Sequence, residues 1–100
     1  MFGQEDYVSC ETARVLHEKG YSGTVTAVTL YEAQMWIWRN YQIFVTTFVM
    51  SPFVKPYEFG YFIQNAKDTL DDYATIVSRK SFGTIQKALS EGIDEALKLI

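Results

Sequence analysis

The chain holds one cysteine, Cys10, and one histidine, His17, the two side chains from which a thiolate–imidazole nucleophile would be built. Seven residues apart on a helix, they share a face but sit about 10 Å apart along the axis, at about 1.5 Å per residue. A nucleophile and its base need hydrogen-bond contact. The spacing therefore predicts a small buried thiol and a boundary imidazole rather than a catalytic pair. Asp68, Asp71 and Asp72 are close enough in sequence to gather round a hard cation. An oxygen cage needs more ligands at ordered spacing, and the EF-hand order is missing, so a solvated acidic turn is expected. Glu91, Asp94 and Glu95 fall largely off the apolar stripe of their helix and read as a solvated face. Gly20-Tyr-Ser-Gly23 has the GXXG spacing of a loop that clamps nucleic-acid backbone. It holds no basic residue, and strand-like sequence follows it. There is no Walker A loop, dinucleotide fingerprint, nucleophile elbow or CxxC pair. No catalytic residue, metal ligand or cofactor is assigned, and an enzyme is not expected.

What remains is aromatic surface. Aromatic residues make up 16% of the chain, a high share that implies a core of large rings or a face resting on a partner. Tyr31, Met35 and Trp38 belong to one helical stretch. They do not fit into one small core together with Leu30, Ala33, Trp36 and Ile37. Tyr, Trp and Met are enriched at protein–protein contacts, so these three residues are the candidate interaction surface.

The elements that would position this surface follow from caps and periodicity. Ser9 is a plausible N-cap, with Glu11 in the first turn of a helix over about 10–19 and Gly20 as its left-handed stop. Thr29 and Glu32 have the capping-box spacing, which opens a second helix over about 30–40. Its core stripe is Leu30, Ala33, Ile37 and Tyr41, and only a narrow strip around Glu32 and Arg39 reads as solvated. Residues 42–50 and 57–64 are rich in strand formers, and Ser51-Pro52 and Pro56 break the chain between them, which predicts an antiparallel hairpin. Phe44 and Phe48 face one way, and Ile43, Val45 and Val49 the other. Short strands are expected at 24–28 and 73–77, with a polar turn over 65–72 between the latter and the hairpin. From Thr84 to Ile100 the apolar residues Ile85, Ala88, Leu89, Ile93, Ala96, Leu97 and Ile100 repeat at helical spacing. Gly92 sits on that stripe at a cost of about 1 kcal/mol against Ala, which implies that a backbone or a large ring packs close to it.

The fold expected is α+β: an antiparallel sheet of two to four strands around a central hairpin, packed against three helices in the order α-(β)-α-β-β-(β)-α. One hundred residues make one domain, 1–100, with 1–8 as a loose lead-in. Net charge is −3 and the nine basic residues are scattered, with Arg79-Lys80 the densest pair, so a phosphate-binding surface is not expected. Neither a signal peptide nor an 18-residue apolar run is present, which makes the cytoplasm the default location.

Three segments carry a resemblance: Ser9-Cys-Glu-Thr-Ala-Arg-Val-Leu-His-Glu-Lys-Gly-Tyr21, Thr29-Leu-Tyr-Glu-Ala-Gln-Met-Trp-Ile-Trp38 and Ala88-Leu-Ser-Glu-Gly-Ile-Asp-Glu-Ala-Leu-Lys-Leu-Ile100. In that order they resemble a group of short uncharacterised bacterial and phage proteins with an ETAxxLxEKG helix, an AxxW(L/I) helix, a hairpin and a terminal ALxxGIxxAL helix. Thr29 departs from that pattern in lacking a preceding proline. The resemblance implies a prophage setting and an α+β fold, and no reaction. The function expected is a non-enzymatic interaction module that binds itself as a homodimer, or binds another protein. The alternative is a winged-helix-like nucleic-acid binder, since helix, helix, hairpin is part of that order. Its recognition helix would offer only Gln34, Arg39 and Asn40.

Overall fold

The structure, a computed structural model, describes residues 6–23, 28–50, 57–66 and 74–100. The elements run α1 (Cys10–Glu18), α2 (Leu30–Tyr41), β1 (Ile43–Val49), β2 (Phe59–Asn65), β3 (Ala74–Val77) and α3 (Ile85–Leu97). This is the expected α+β order, with three strands in a fully antiparallel sheet ordered β1-β2-β3. Four of the expected features lie wholly or mainly outside the described residues. They are the strand at 24–28, the prolines of the hairpin loop, the acidic turn with Asp68, Asp71 and Asp72, and Tyr73.

Each helix starts where its cap places it. The hydroxyls of Ser9, Thr29 and Thr84 accept from the backbone N–H three residues on, at Thr12, Glu32 and Lys87. That satisfies a donor with no partner inside the helix. At the end of α1, Gly20 adopts φ +114°, a conformation that costs a glycine nothing. It closes a Schellman motif in which Tyr21 N–H bonds Leu16 C=O at 2.9 Å and Gly20 N–H bonds His17 C=O at 3.1 Å. α2 ends at Gln42, in the left-handed region at φ 52°.

Strand parity decides what the sheet buries. Val45 pairs with Ile63 and Thr47 with Tyr61 across β1 and β2, and Ile43, Val45, Tyr61 and Ile63 are buried. These side chains share the face that carries the helices. α3 packs on β1 and β2, while α2 packs on β1 and on α3. α1 leans on α3. One contiguous core results, with Leu16, Ile37, Ile63 and Ile93 fully enclosed. Gly92 lies where α3 crosses the sheet. A Cβ there would meet a Val45 methyl at 2.7 Å and the Tyr61 side chain at 3.1 Å. The close approach read from the glycine is present, and a tyrosine ring makes part of it.

Four contacts differ from the sequence reading. Tyr7 and Val8, at the end of the segment expected to be loose, are tied down: Tyr7 bridges Thr29, and Val8 N–H bonds Val28 C=O at 2.8 Å. Cys10 is exposed rather than buried, because it is the first residue of α1 and overhangs the core that Ala13 and Leu16 enter. Ile85 overhangs α3 in the same way. Asp94, read as solvated, is half-buried and accepts from the Thr12 hydroxyl, which ties α3 to the first turn of α1.

Candidate interaction surface

α2 is amphipathic in an unusual sense, with apolar side chains on both its inner and outer sides. Leu30, Ala33 and Ile37 are buried in the core. On the outer side, Tyr31 is 67% exposed, Trp38 is 39% exposed, and Met35 is half-buried between them. At 3.6 residues per turn, positions 31, 35 and 38 form a single ridge. The structure therefore brings together the three residues singled out from the sequence. It also widens the solvated strip of α2, which was expected to be narrow, to include Tyr31 and Trp38.

The ridge is continuous with the sheet's second face. Parity puts Phe44, Thr46 and Phe48 of β1 opposite the helices, where they pair with Gln64, Phe62 and Gly60. The rings of Phe48 and Phe62 stand 4.4 Å apart, and Trp38 meets Phe44 edge-on at 5.7 Å. Trp38 thus reaches past β1, an edge strand, to the far side of the sheet. Met35, Trp38, Phe44, Gln64 and Ala66 line a groove of about 580 Å³ there. A second groove of about 400 Å³ runs along the other side of the ridge, between Tyr21, Tyr31, Glu32, Met35, Trp36 and Arg39. Met35 forms part of both walls.

Gln34 holds α2 against β1. Its side-chain amide donates to Val45 C=O on the open edge of that strand, where an unpaired carbonyl would otherwise invite another strand. Behind the second groove the rings of His17, Tyr21, Trp36 and Tyr41 follow one another edge-to-face at 5.5–5.8 Å. The Tyr41 hydroxyl donates to Lys19 C=O at 3.0 Å, fixing the end of α2 to the cap of α1. His17 Nε2 is enclosed without a hydrogen-bond partner. Its ring contributes packing to this row and lies far along α1 from the exposed thiol of Cys10.

Two charges flank the ridge. Glu32 lies in the first turn of α2 and Arg39 in the last, each at the helix end whose dipole favours its sign. The Tyr21 hydroxyl donates to the Glu32 carboxylate at 3.0 Å. Partial burial, then this carboxylate, holds the Tyr21 phenol above the ordinary tyrosine range. Among the described residues the Arg39 guanidinium forms no ion pair. The described residues also hold no cluster of three or more potential metal ligands, and none of their helices is long and apolar enough to cross a membrane.

The sequence did not reveal the contribution of Phe44, Gln64 and Ala66 to the groove. The alternation of β1 set Phe44 and Phe48 on one face and Ile43, Val45 and Val49 on the other, but nothing local showed which face the helices cover or that Trp38 would reach Phe44. No protein family, curated protein or solved structure matches this chain.

Proposed function

We propose that this protein is a small non-enzymatic interaction module of prophage type, working in the cytoplasm, and that it self-associates through the outer ridge of α2. The observation that carries this reading is the Tyr31–Met35–Trp38 ridge, exposed although apolar and flanked by two grooves. Exposed large apolar side chains are ordinary when scattered, but a contiguous set with shaped recesses on both sides is typical of a contact surface. A winged-helix nucleic-acid binder draws less from the same helix. Of the three side chains it would offer to a groove, Gln34 is committed to Val45 C=O and Asn40 to Trp36 C=O, which leaves Arg39.

Native mass spectrometry of the purified protein tests the reading. A dimeric mass supports it, and Trp38→Ala is then expected to shift the population towards monomer by about tenfold while circular dichroism shows an intact fold, as truncation of an interface aromatic does. A monomeric mass at all concentrations rejects self-association and leaves a different protein as the partner. A co-purifying small molecule or metal overturns the reading altogether.

A further inference from the structure

We infer that two copies of this chain pack α2 against α2 in antiparallel fashion, about a two-fold axis that passes beside Met35. The inference rests on the self-association reading and specifies its geometry. A two-fold interface is isologous, so each contact occurs twice: a residue that meets a second residue of the partner is met in turn by the partner's copy of the first, and only residues on the axis meet themselves. α2 carries two pairs of outward residues that suit this operation. Tyr31 and Trp38 are seven apart, as are Glu32 and Arg39, which places each pair about 10 Å apart along the axis. Met35 lies between the members of both pairs.

Around the helix, at about 100° per residue, Met35 separates the two rows: aromatic on one flank, charged on the other. A two-fold axis perpendicular to the pair of helices returns each flank to the same flank of the partner. Glu32 then faces the partner's Arg39, and Arg39 faces the partner's Glu32. Tyr31 faces the partner's Trp38, where the open groove bounded by Met35, Trp38, Phe44, Gln64 and Ala66 gives its ring a place to enter. The Arg39 guanidinium, which has no ion pair among the described residues, gains a carboxylate, and Glu32 still has acceptor positions beyond the one used by Tyr21. Parallel packing lacks this match, since a two-fold along the helices turns each flank onto the partner's opposite flank, so the charged row meets the aromatic row and neither Glu32 nor Arg39 gains an opposite charge. It also aligns two helix dipoles that antiparallel packing opposes.

Charge reversal and cross-linking decide the matter. In wild-type background, E32R and R39E are each expected to weaken the dimer about tenfold or more, because each converts two symmetric attractions into repulsions. An equimolar mixture of E32R and R39E is expected to recover a mixed dimer to within about threefold of wild type, and so is the doubly swapped E32R/R39E chain. In a Cys10→Ser background, M35C is expected to form a disulfide-linked dimer on mild oxidation, since position 35 meets itself across the axis. This readout stands even where E32R, which loses the Tyr21 contact, fails to fold. A dimer that keeps wild-type affinity in both folded single reversals overturns the antiparallel geometry, as does a dimer whose M35C form does not cross-link; self-association itself survives either result. A monomeric wild type at all concentrations removes both.

Discussion

α3 and α2 are nearly the same length, both start on a threonine cap, and they use their apolar surface in opposite ways. The 13 residues of α3 spend one stripe inwards: Ala88, Gly92, Ile93, Ala96 and Leu97 are all buried. Its other side is mostly polar, with Ile85 exposed at the first turn. The 12 residues of α2 bury Leu30, Ala33 and Ile37 and then present Tyr31, Met35 and Trp38 outwards. A core-facing stripe needs only about a third of a helix circumference. Apolar residues beyond that third are more than the core stripe requires, and in α2 three of them, Tyr31, Met35 and Trp38, gather on one ridge. The difference teaches where to look for work: α3 keeps its apolar stripe for the core, whereas α2 also turns a contiguous apolar ridge outwards.

The comparison breaks first if α2's two sides respond alike. Ile37→Ala empties a fully enclosed site and is expected to cost about 2–5 kcal/mol. Tyr31→Ala, on the opposite side of the same helix, is expected to change folding stability by no more than about 0.5 kcal/mol. Urea unfolding of the two variants at low protein concentration, where association does not contribute, measures both. Comparable losses would mean that Tyr31 is part of the core, and the ridge would lose its standing as a contact surface.

The next effect sharpens the account of α3. Replacing a helical glycine with alanine normally gains about 1 kcal/mol. At Gly92 the added methyl would arrive 2.7 Å from a Val45 methyl and 3.1 Å from Tyr61. Overpacking of this kind costs about 1–3 kcal/mol, so Gly92→Ala is expected to be net destabilising. The thermal midpoint should fall by several degrees, at about 4–8 °C per kcal/mol for a chain of this size. A raised midpoint would show that α3 has room to lift from the sheet.

Much of this contrast was legible in the sequence, and the illegible part has a common cause. Ser9, Thr29, Thr84 and Gly20 act within three or four residues of their own position, so each announced a helix boundary. The period of α3 assigned its buried face, while that of β1 sorted its side chains into two faces without showing which one the helices cover. Gly92 announced a close neighbour because its cost is local even though its reason is remote. The contacts that escaped notice join distant segments through ordinary side chains. Val8 to Val28, Gln34 to Val45 and the bridge between Phe59 and Phe82 have no signature in the sequence around either partner. The same holds for the groove, whose walls come from α2, β1, β2 and Ala66. Its aromatic ridge could be read from one helix, while its depth depended on which strand that helix crossed.

Asp94 gives the smallest expected effect, and the one that bears on how α1 and α3 are joined. Its carboxyl accepts from Thr12, whose N–H is capped by Ser9, and the Ser9 and Thr12 hydroxyls lie 2.9 Å apart. Burial between the two helices raises the Asp94 carboxyl above the ordinary aspartate range; the Thr12 hydroxyl and Lys98 pull against that rise, while Glu95 and Glu11 add to it. The folded chain therefore binds this proton more tightly than the unfolded chain does. Stability from the protonated form is fully present below about pH 4, the unfolded value, and is lost as pH rises through the higher folded value. Asn keeps an oxygen acceptor for Thr12 and never ionises. Asp94→Asn is thus expected to gain on wild type as pH climbs from about 3.5 to 7, with the two chains most alike at the acid end. Because the carboxyl is only half-buried, screening keeps this gain below the losses at Ile37 and Gly92. Denaturant midpoints for both chains across that range isolate Asp94 from the other carboxylates, which titrate in each. A difference that stays constant with pH would mean that Asp94 is as solvated as Glu91 and Glu95 were read to be, and the link between α1 and α3 would then be one of shape alone.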